Sequence, residues 1–415
     1  MEKNIEELEA KLKRYNQQHL IDYYNKLEEG EIKDKFLKQL QTIDFEMVDN
    51  LYRNIKKDFK DEKDKIEPIE YWDKERLGSK YNFYQEIGEQ AIKEGKLAAV
   101  TMAGGQGTRL GHNGPKGTFD IGLDSHKSLF ELLCDGLKQA KEKYSVEIPW
   151  FIMTSRENNK QTIEFFEKNK YFGYKKNNIY FFIQGQLPMV DTEGKILIGE
   201  NGLIKEAADG HGGVYGSLAK SKMLEKMREL GIEWVFIAGV DNCLARMVDP
   251  ILMGLAIYNN AKGAGKSVVK LNPQEKVGVF CKKNGKPSIV EYSEITPEMA
   301  EARDAAGELL FGESHIICNL FNLSALEKIG EIPLPYHCAF KKATYIDENG
   351  KKVVPASPNA YKFESFLFDA FEELDNMIIL RVKREEEFAP CKNATGSDSP
   401  ETARELYNNL HRKSK

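Results

Sequence analysis

A chain of 415 residues with 41% hydrophobic composition is long enough to bury one large α/β core with additions, or two to three smaller cores. Its 60 Lys and Arg against 65 Asp and Glu leave a net charge of −5, which argues against a surface built to neutralise nucleic-acid phosphates. No run approaches the ~18 apolar residues of a membrane-spanning helix, and Met1 to Leu20 is charged throughout, unlike a secretory signal, so a soluble cytoplasmic protein with no membrane partner is expected.

Met1 to Lys96 is dense in Glu and Lys, short of Gly, and carries apolar residues at helical spacing such as Leu8, Leu12, Phe36, Leu37 and Leu40. This predicts a helical N-terminal region, with Ile66 to Trp72 as an irregular connector near its end. After Lys96 come short apolar runs typical of buried parallel strands: Leu97 to Met102, Trp150 to Thr154, Ile179 to Ile183 and Trp234 to Val240. Helical patterns alternate with them at Ser128 to Tyr144, Asn158 to Lys168 and Gly216 to Leu230. The alternation predicts a doubly wound α/β sheet with ligands at the carboxyl ends of its strands. Beyond Gly265 the chain reads as extended pieces at Ser267 to Leu271, Val277 to Cys281, Ser288 to Tyr292 and His315 to Phe321. A helix near Ser324, a helical aromatic-rich stretch at Tyr361 to Leu374, a strand at Met377 to Val382 and a closing helix after Pro400 complete the pattern.

Six cysteines (Cys134, Cys243, Cys281, Cys318, Cys338, Cys391) show no C-x-x-C pair and read as reduced structural thiols. His315 and Cys318 find no second pair with which to hold a metal.

The strongest chemical signal follows the first predicted strand: Ala103-Gly104-Gly105-Gln106-Gly107-Thr108-Arg109-Leu110-Gly111, with Pro115-Lys116-Gly117 close behind. Glycines let backbone N–H groups approach phosphate oxygens, and Arg109 and Lys116 supply positive charge. The run is neither a Walker A loop nor a dinucleotide fingerprint. A bare glycine-rich turn is also a common structural loop; two basic residues behind a buried strand favour phosphate. Asp241 ends the strand Trp234 to Val240, where a carboxylate suits Mg²⁺ held over phosphates or, equally, a turn or helix cap. The side-chain amide of Gln184, just past another strand, can donate and accept at once, as the edge of a uracil requires.

These residues resemble the UDP-sugar pyrophosphorylases, particularly the UDP-N-acetylhexosamine pyrophosphorylases. The likeness recurs in order at Gln184-Gly-Gln-Leu-Pro188, Asp209-Gly-His-Gly-Gly-Val-Tyr215, Val240-Asp241-Asn242, Val290-Glu291-Tyr-Ser-Glu-Ile295 and Phe388-Ala-Pro-Cys-Lys392-Asn393. It implies a Rossmann-like, GT-A-like nucleotidyltransferase core with a doubly wound mixed sheet, an N-terminal helical region (1–96), a catalytic domain with its sugar-binding part (97–385) and a short C-terminal segment (386–415). The implied reaction is in-line attack by a sugar 1-phosphate on the α-phosphorus of UTP, giving a UDP-sugar and pyrophosphate, with Mg²⁺ as cofactor.

By the same resemblance Gly104, Gly105, Gly107, Thr108, Gln184 and Gly210 bind the nucleotide and Asp241 holds both nucleotide and metal. Arg109 and Lys116 take the leaving phosphates, Lys392 reaches the phosphates from the far side, and His211, Gly278, Glu291 and Asn319 contact the sugar. Arg109 and the Val290 to Ile295 stretch resemble the acetylhexosamine branch, whereas His211 resembles the UDP-glucose and broad UDP-sugar branches. N-acetylglucosamine 1-phosphate is therefore expected ahead of glucose 1-phosphate or a broad range, with a non-catalytic UDP-sugar sensor and a nucleic-acid module as the competing classes. Eukaryotic members continue past the segment matching Thr402-Ala-Arg404 into a further domain, so no oligomer is carried over and a monomer is expected.

Overall fold

Leu97–Met102 forms β1 with every residue buried, as a strand covered on both faces requires. Trp150–Thr154 (β2), Ile179–Ile183 (β3) and Trp234–Gly239 (β4) follow where the apolar runs predicted them. The four pair in parallel in the order β3-β2-β1-β4. That is the opening half of a doubly wound sheet, in which the strand order reverses at β1 and the loops leaving β1 and β4 flank a ligand crevice. Gly263–Val269 (β5), Val279–Lys283 (β6), Lys286–Val290 (β7), Glu313–Asn322 (β8) and Met377–Arg381 (β9) enlarge the sheet to ten strands together with Ile66–Pro68. β8 runs antiparallel to β4, β5 and β6, while β9 is parallel to β5, so the sheet is mixed.

Helices cover the parallel strands. Leu129–Tyr144 (α1) starts at Ser128, whose side chain accepts the N–H of Glu131, and its apolar face buries Leu129, Phe130, Leu133 and Leu137. Asn159–Lys168 (α2) contributes Phe166, whose ring meets Phe130 edge-on at 4.9 Å beside the fully buried Trp150. Pro250–Tyr258 (α3) is capped by Asp249, which accepts the N–H groups of Ile251 and Leu252.

The computed structural model describes residues 2–55 and 64–413. The sheet and its helices form the larger of two compact units, built from residues 64–184, Val214–Pro333 and 367–413. The smaller unit joins the N-terminal helices to Gly185–Gly213 and Leu334–Phe366, two stretches that lie within the expected 97–385 region. Four helices (Glu2–Arg14, Gln18–Lys26, Glu31–Thr42, Phe45–Ile55) bury Leu12, Leu20, Phe36 and Phe45 against Val190, Ile196, Ile198, Ile204 and Phe363. Two glutamines lock this packing: Gln17 donates to Gly194 O and accepts from Ile196 N, and Gln39 does the same with Ile204 O and N. Each amide replaces a ladder partner that the 194–204 segment would otherwise lack.

Three elements differ from expectation. Tyr361 to Glu364 is not helical but belongs to the strand Ala360–Glu364, paired with His337–Lys341 and Val190–Asp191; only Leu367–Glu373 is helical, as a 3₁₀ turn. The stretch Gly216 to Leu230 is two helices, Gly213–Lys220 and Met223–Glu229, because Lys222 takes a left-handed φ of 60° between them. The expected irregular connector Ile66 to Trp72 opens with a strand, Ile66–Pro68, paired antiparallel with β6, and no group of three His, Cys, Asp or Glu that could hold a metal occurs among the described residues.

Candidate active site

The loop leaving β1 folds back on itself. Gly107 N donates to Gly114 O at 2.9 Å and Lys116 N to Gly105 O at 3.0 Å, so the glycine run and the Pro-Lys-Gly run lie side by side. Thr108 and Arg109 stand exposed at the tip, while Lys116 is half-buried at the base. Gly107 packs on the ring of His112. The anchor of this loop is a residue that sequence reasoning assigned only to a helix start: Asn158, with no exposed surface. Its Nδ2 donates to Ala103 O at 2.9 Å and Gly105 O at 3.3 Å, and its Oδ1 accepts from Ser155 N at 2.8 Å. A buried Asn at the carboxyl end of β2 was the available signal; its reach of some fifty residues back along the chain was not.

Gln184 ends β3 with its N–H on Thr154 O and its side chain buried. A Cβ on Gly104 would stand 2.5 Å from Gln184 Oε1, so only glycine lets the amide lie against the main chain here. The two residues expected to read the uracil thus lie against each other.

The loop leaving β4 meets the C-terminal segment. Cys391 N donates to Asp241 O at 2.9 Å, Asn242 Nδ2 donates to Glu387 O at 2.8 Å, and Asn242 Oδ1 accepts from Ala389 N at 2.9 Å. Asp241 and Lys392 are thereby held one peptide apart across this junction, both half-buried. Burial pushes the Cys391 thiol up to about 11, with Lys116 pulling it down and Asp241 pushing it further up, so Lys116 and Asp241 both act within electrostatic reach of Cys391. Arg109, Lys116, Asp241 and Lys392 form no ion pair among the described residues. Lys116, Asp241 and Lys392, brought near Cys391 without any salt bridge among the described residues, are free to engage an added polyanion and its counterion, and Arg109 at the exposed loop tip is likewise without an ion pair.

Gly278, Glu291 and Asn319 also come together in the larger unit. A Cβ on Gly278 would lie 3.0 Å from Glu291 Oε1, and Gly278 O accepts from His315 N. Asn319 is fully buried, with Nδ2 3.1 Å from His315 Nε2, so it stands behind this surface rather than on it. Four residues apart on a regular strand they would be roughly 13 Å apart; a bulge between His315 and Asn319, with Ile317 at a φ of 53°, closes the gap. A β-branched residue in that region is strained, and such strain concentrates at functional sites.

Gly210 and His211 belong to the smaller unit. Gly210 has a φ of 87°, and a Cβ there would lie 2.1 Å from Ser365 O. His211 lies beside Phe366, centroids 5.5 Å apart, and Phe366 stacks in turn on His337 at 4.5 Å. Phe366 and His337 are further members of this cluster that sequence reasoning missed.

Unpaired cations and a single carboxylate gathered at the switch point of a 3-2-1-4 sheet suit a polyphosphate rather than an acyl or redox substrate, and place the chain among the nucleotidyltransferases. A family model described as UTP--glucose-1-phosphate uridylyltransferase matches residues 45–408. The UDP-N-acetylhexosamine pyrophosphorylase-like protein 1 of Homo sapiens is 39% identical over 339 residues, which cover 79% of this chain and 67% of the human one. The UDP-N-acetylglucosamine pyrophosphorylase of Saccharomyces cerevisiae is 37% identical over 95% of this chain and 85% of its own. The uridine diphosphate N-acetylglucosamine pyrophosphorylase of Trypanosoma brucei, crystallised in complex with an inhibitor, has a TM-score of 0.83 at 32% identity, covering 97% of this chain and 84% of that one. The chain belongs to the UTP--glucose-1-phosphate uridylyltransferase family.

Proposed function

We propose that this uridylyltransferase joins UTP to N-acetylglucosamine 1-phosphate, forming UDP-N-acetylglucosamine and pyrophosphate. The meeting of Lys116, Asp241 and Lys392 around Cys391 carries the reading, because it supplies charge on two sides of a triphosphate. A sugar phosphate is already ionised at neutral pH, so the reaction needs positioning and charge neutralisation rather than a general base. In this reading Gln184 and Gly104 hold the uracil, Arg109 and Lys116 take the β- and γ-phosphates, and the Lys392 ammonium offsets charge developing at the α-phosphorus. Glu291, beside Gly278, accepts hydrogen bonds from sugar hydroxyls.

Asp241 fits magnesium: its carboxylate is partly exposed and unpaired, and Mg²⁺ takes one or two carboxylates together with substrate phosphates rather than a cage of protein ligands. A magnesium ion held by Asp241 would offset the negative charge of the substrate's phosphates. A monomer suffices for the charged set, since all of it comes from one unit of one chain. Six free cysteines suit the reducing cytoplasm we propose as its location. A second reading, glucose 1-phosphate as acceptor, rests on His211.

Pyrophosphate release from UTP with Mg²⁺, compared across N-acetylglucosamine, N-acetylgalactosamine, glucose and galactose 1-phosphates, tests both. Preference for the acetylated sugar supports the first; preference for glucose selects the second; no release with any sugar despite UDP-sugar binding makes the chain a sensor.

A further inference from the structure

Lys266 sits on β5 in the middle of the sheet with no exposed surface. Its ammonium meets Asp249 Oδ2 at 2.7 Å, the carboxylate of Glu387, and Arg246 O at 3.2 Å. Asp249 and Glu387 are themselves almost fully buried, and the Arg246 guanidinium stands 3.9 Å from Glu387, so two carboxylates face two cations. Replacing such a buried cluster by well-packed apolar residues is often neutral or stabilising. Stability alone therefore does not account for it.

Its neighbours do. Glu387 is the residue from which the chain turns through Phe388, Ala389, Pro390 and Cys391 to Lys392. Asp249 closes the loop that begins at Asp241 and caps α3. Lys266 thus grips the far ends of the two segments whose near ends carry Lys392 and Asp241, while Asn242 ties their middles together. The two acids respond differently: burial lifts Glu387, whereas Asp249, against the pull of burial, is held below the ordinary carboxylate range by Lys266 and the α3 amides.

We propose that Lys266, acting through Asp249 and Glu387, is a positioning residue that fixes Lys392 relative to Asp241 for phosphoryl transfer. This rests on the uridylyl-transfer reading above. A misplacement of about 1 Å at such a site costs on the order of 10²-fold in rate.

The test uses the full chain carrying Lys266→Met. Amide exchange of the 388–393 peptide, β1 and β4 is followed without substrates; kcat is read from pyrophosphate release and UTP affinity from calorimetry. Exchange at 388–393 is expected to accelerate at least about 10-fold while β1 and β4 stay protected. In the same variant kcat falls about 10- to 100-fold and the UTP dissociation constant moves less than about 3-fold. Unchanged exchange at 388–393, or kcat within about two-fold of the wild type, overturns the proposal. Should Lys266→Met not fold, a variant with Lys266→Met, Asp249→Asn and Glu387→Gln, which leaves no cluster carboxylate unpaired, is held to the same criteria. Loss of the fold in both makes the cluster a folding requirement only and also overturns it. A wild type that releases no pyrophosphate sinks the reading of the reaction, and the exchange measurement then decides the positioning by itself.

Discussion

The backbone N–H of Cys391 donates to the backbone oxygen of Asp241 at 2.9 Å, so the lysine that follows the one and the carboxylate of the other are neighbours by main-chain construction. The side chains of Asp241 and Lys392 take no part in this bond. They are available for substrate, and removing either leaves the junction intact.

Asp241→Ala should therefore separate catalysis from folding. Turnover in pyrophosphate release is expected to drop about 10²- to 10³-fold, on the scale of losing one charge-stabilising group in other transfer enzymes. Because the carboxylate forms no ion pair among the described residues, the unfolding free energy should stay within about 0.5 kcal/mol of the wild type. Steady-state kinetics and urea unfolding on one preparation check both halves.

Gly104→Ala places a methyl group 2.5 Å from Gln184 Oε1. The amide must turn away, which on the proposed reading deprives the uracil of its hydrogen-bonding partner. A rise of about 10-fold in the UTP dissociation constant is expected, equal to about 1.4 kcal/mol, with a smaller effect on kcat. Calorimetric titration with UTP measures it.

Asn158→Ala removes the buried amide that holds the glycine-rich loop and leaves the N–H of Ser155 without its side-chain acceptor. Destabilisation of about 2 kcal/mol is expected from stranding buried polar groups, with exchange rising through residues 103–117. A loop unaffected by the substitution would remove Asn158 from any part in shaping the site.

His19 gives the smaller unit a pH dependence. Its Nε2 donates to Ile196 O at 2.8 Å, its Nδ1 is buried without a partner, and burial holds its pKa below the ordinary imidazole value. The unfolded chain takes up a proton near pH ~6.5 while the folded one resists it, so stability is full above that value and falls as pH drops toward the folded pKa. Urea midpoints by circular dichroism should decline from pH 7.5 to 5.5, and His19→Gln should flatten the decline. Equal slopes in the two proteins would sink the idea.

Much of the parallel sheet was legible because strands covered on both faces are written as unbroken apolar runs, and β1, β2 and β3 begin and end where those runs do. Tyr361 to Glu364 was misread because its role depends on pairing with residues far away in the chain, which local periodicity does not register. The charged residues proposed for the site stand in patterns that a sequence displays locally: a glycine run, a strand-end aspartate and a Pro-x-Lys turn. What holds them in place was not legible: Lys266 and Glu387 are 121 residues apart, and neither position suggests a buried cation.

The smaller unit is assembled from three separated stretches, the last ending at Phe366. Gln17 and Gln39 wait on backbone groups of residues 194 to 204, and Phe363 completes the same apolar cluster. The four helices cannot complete their packing without the strand bearing Phe363, which follows most of the large sheet's strands along the chain. A chain cut near residue 330 lacks Phe363 and so leaves Leu12, Leu20, Phe36 and Phe45 without part of their apolar cover.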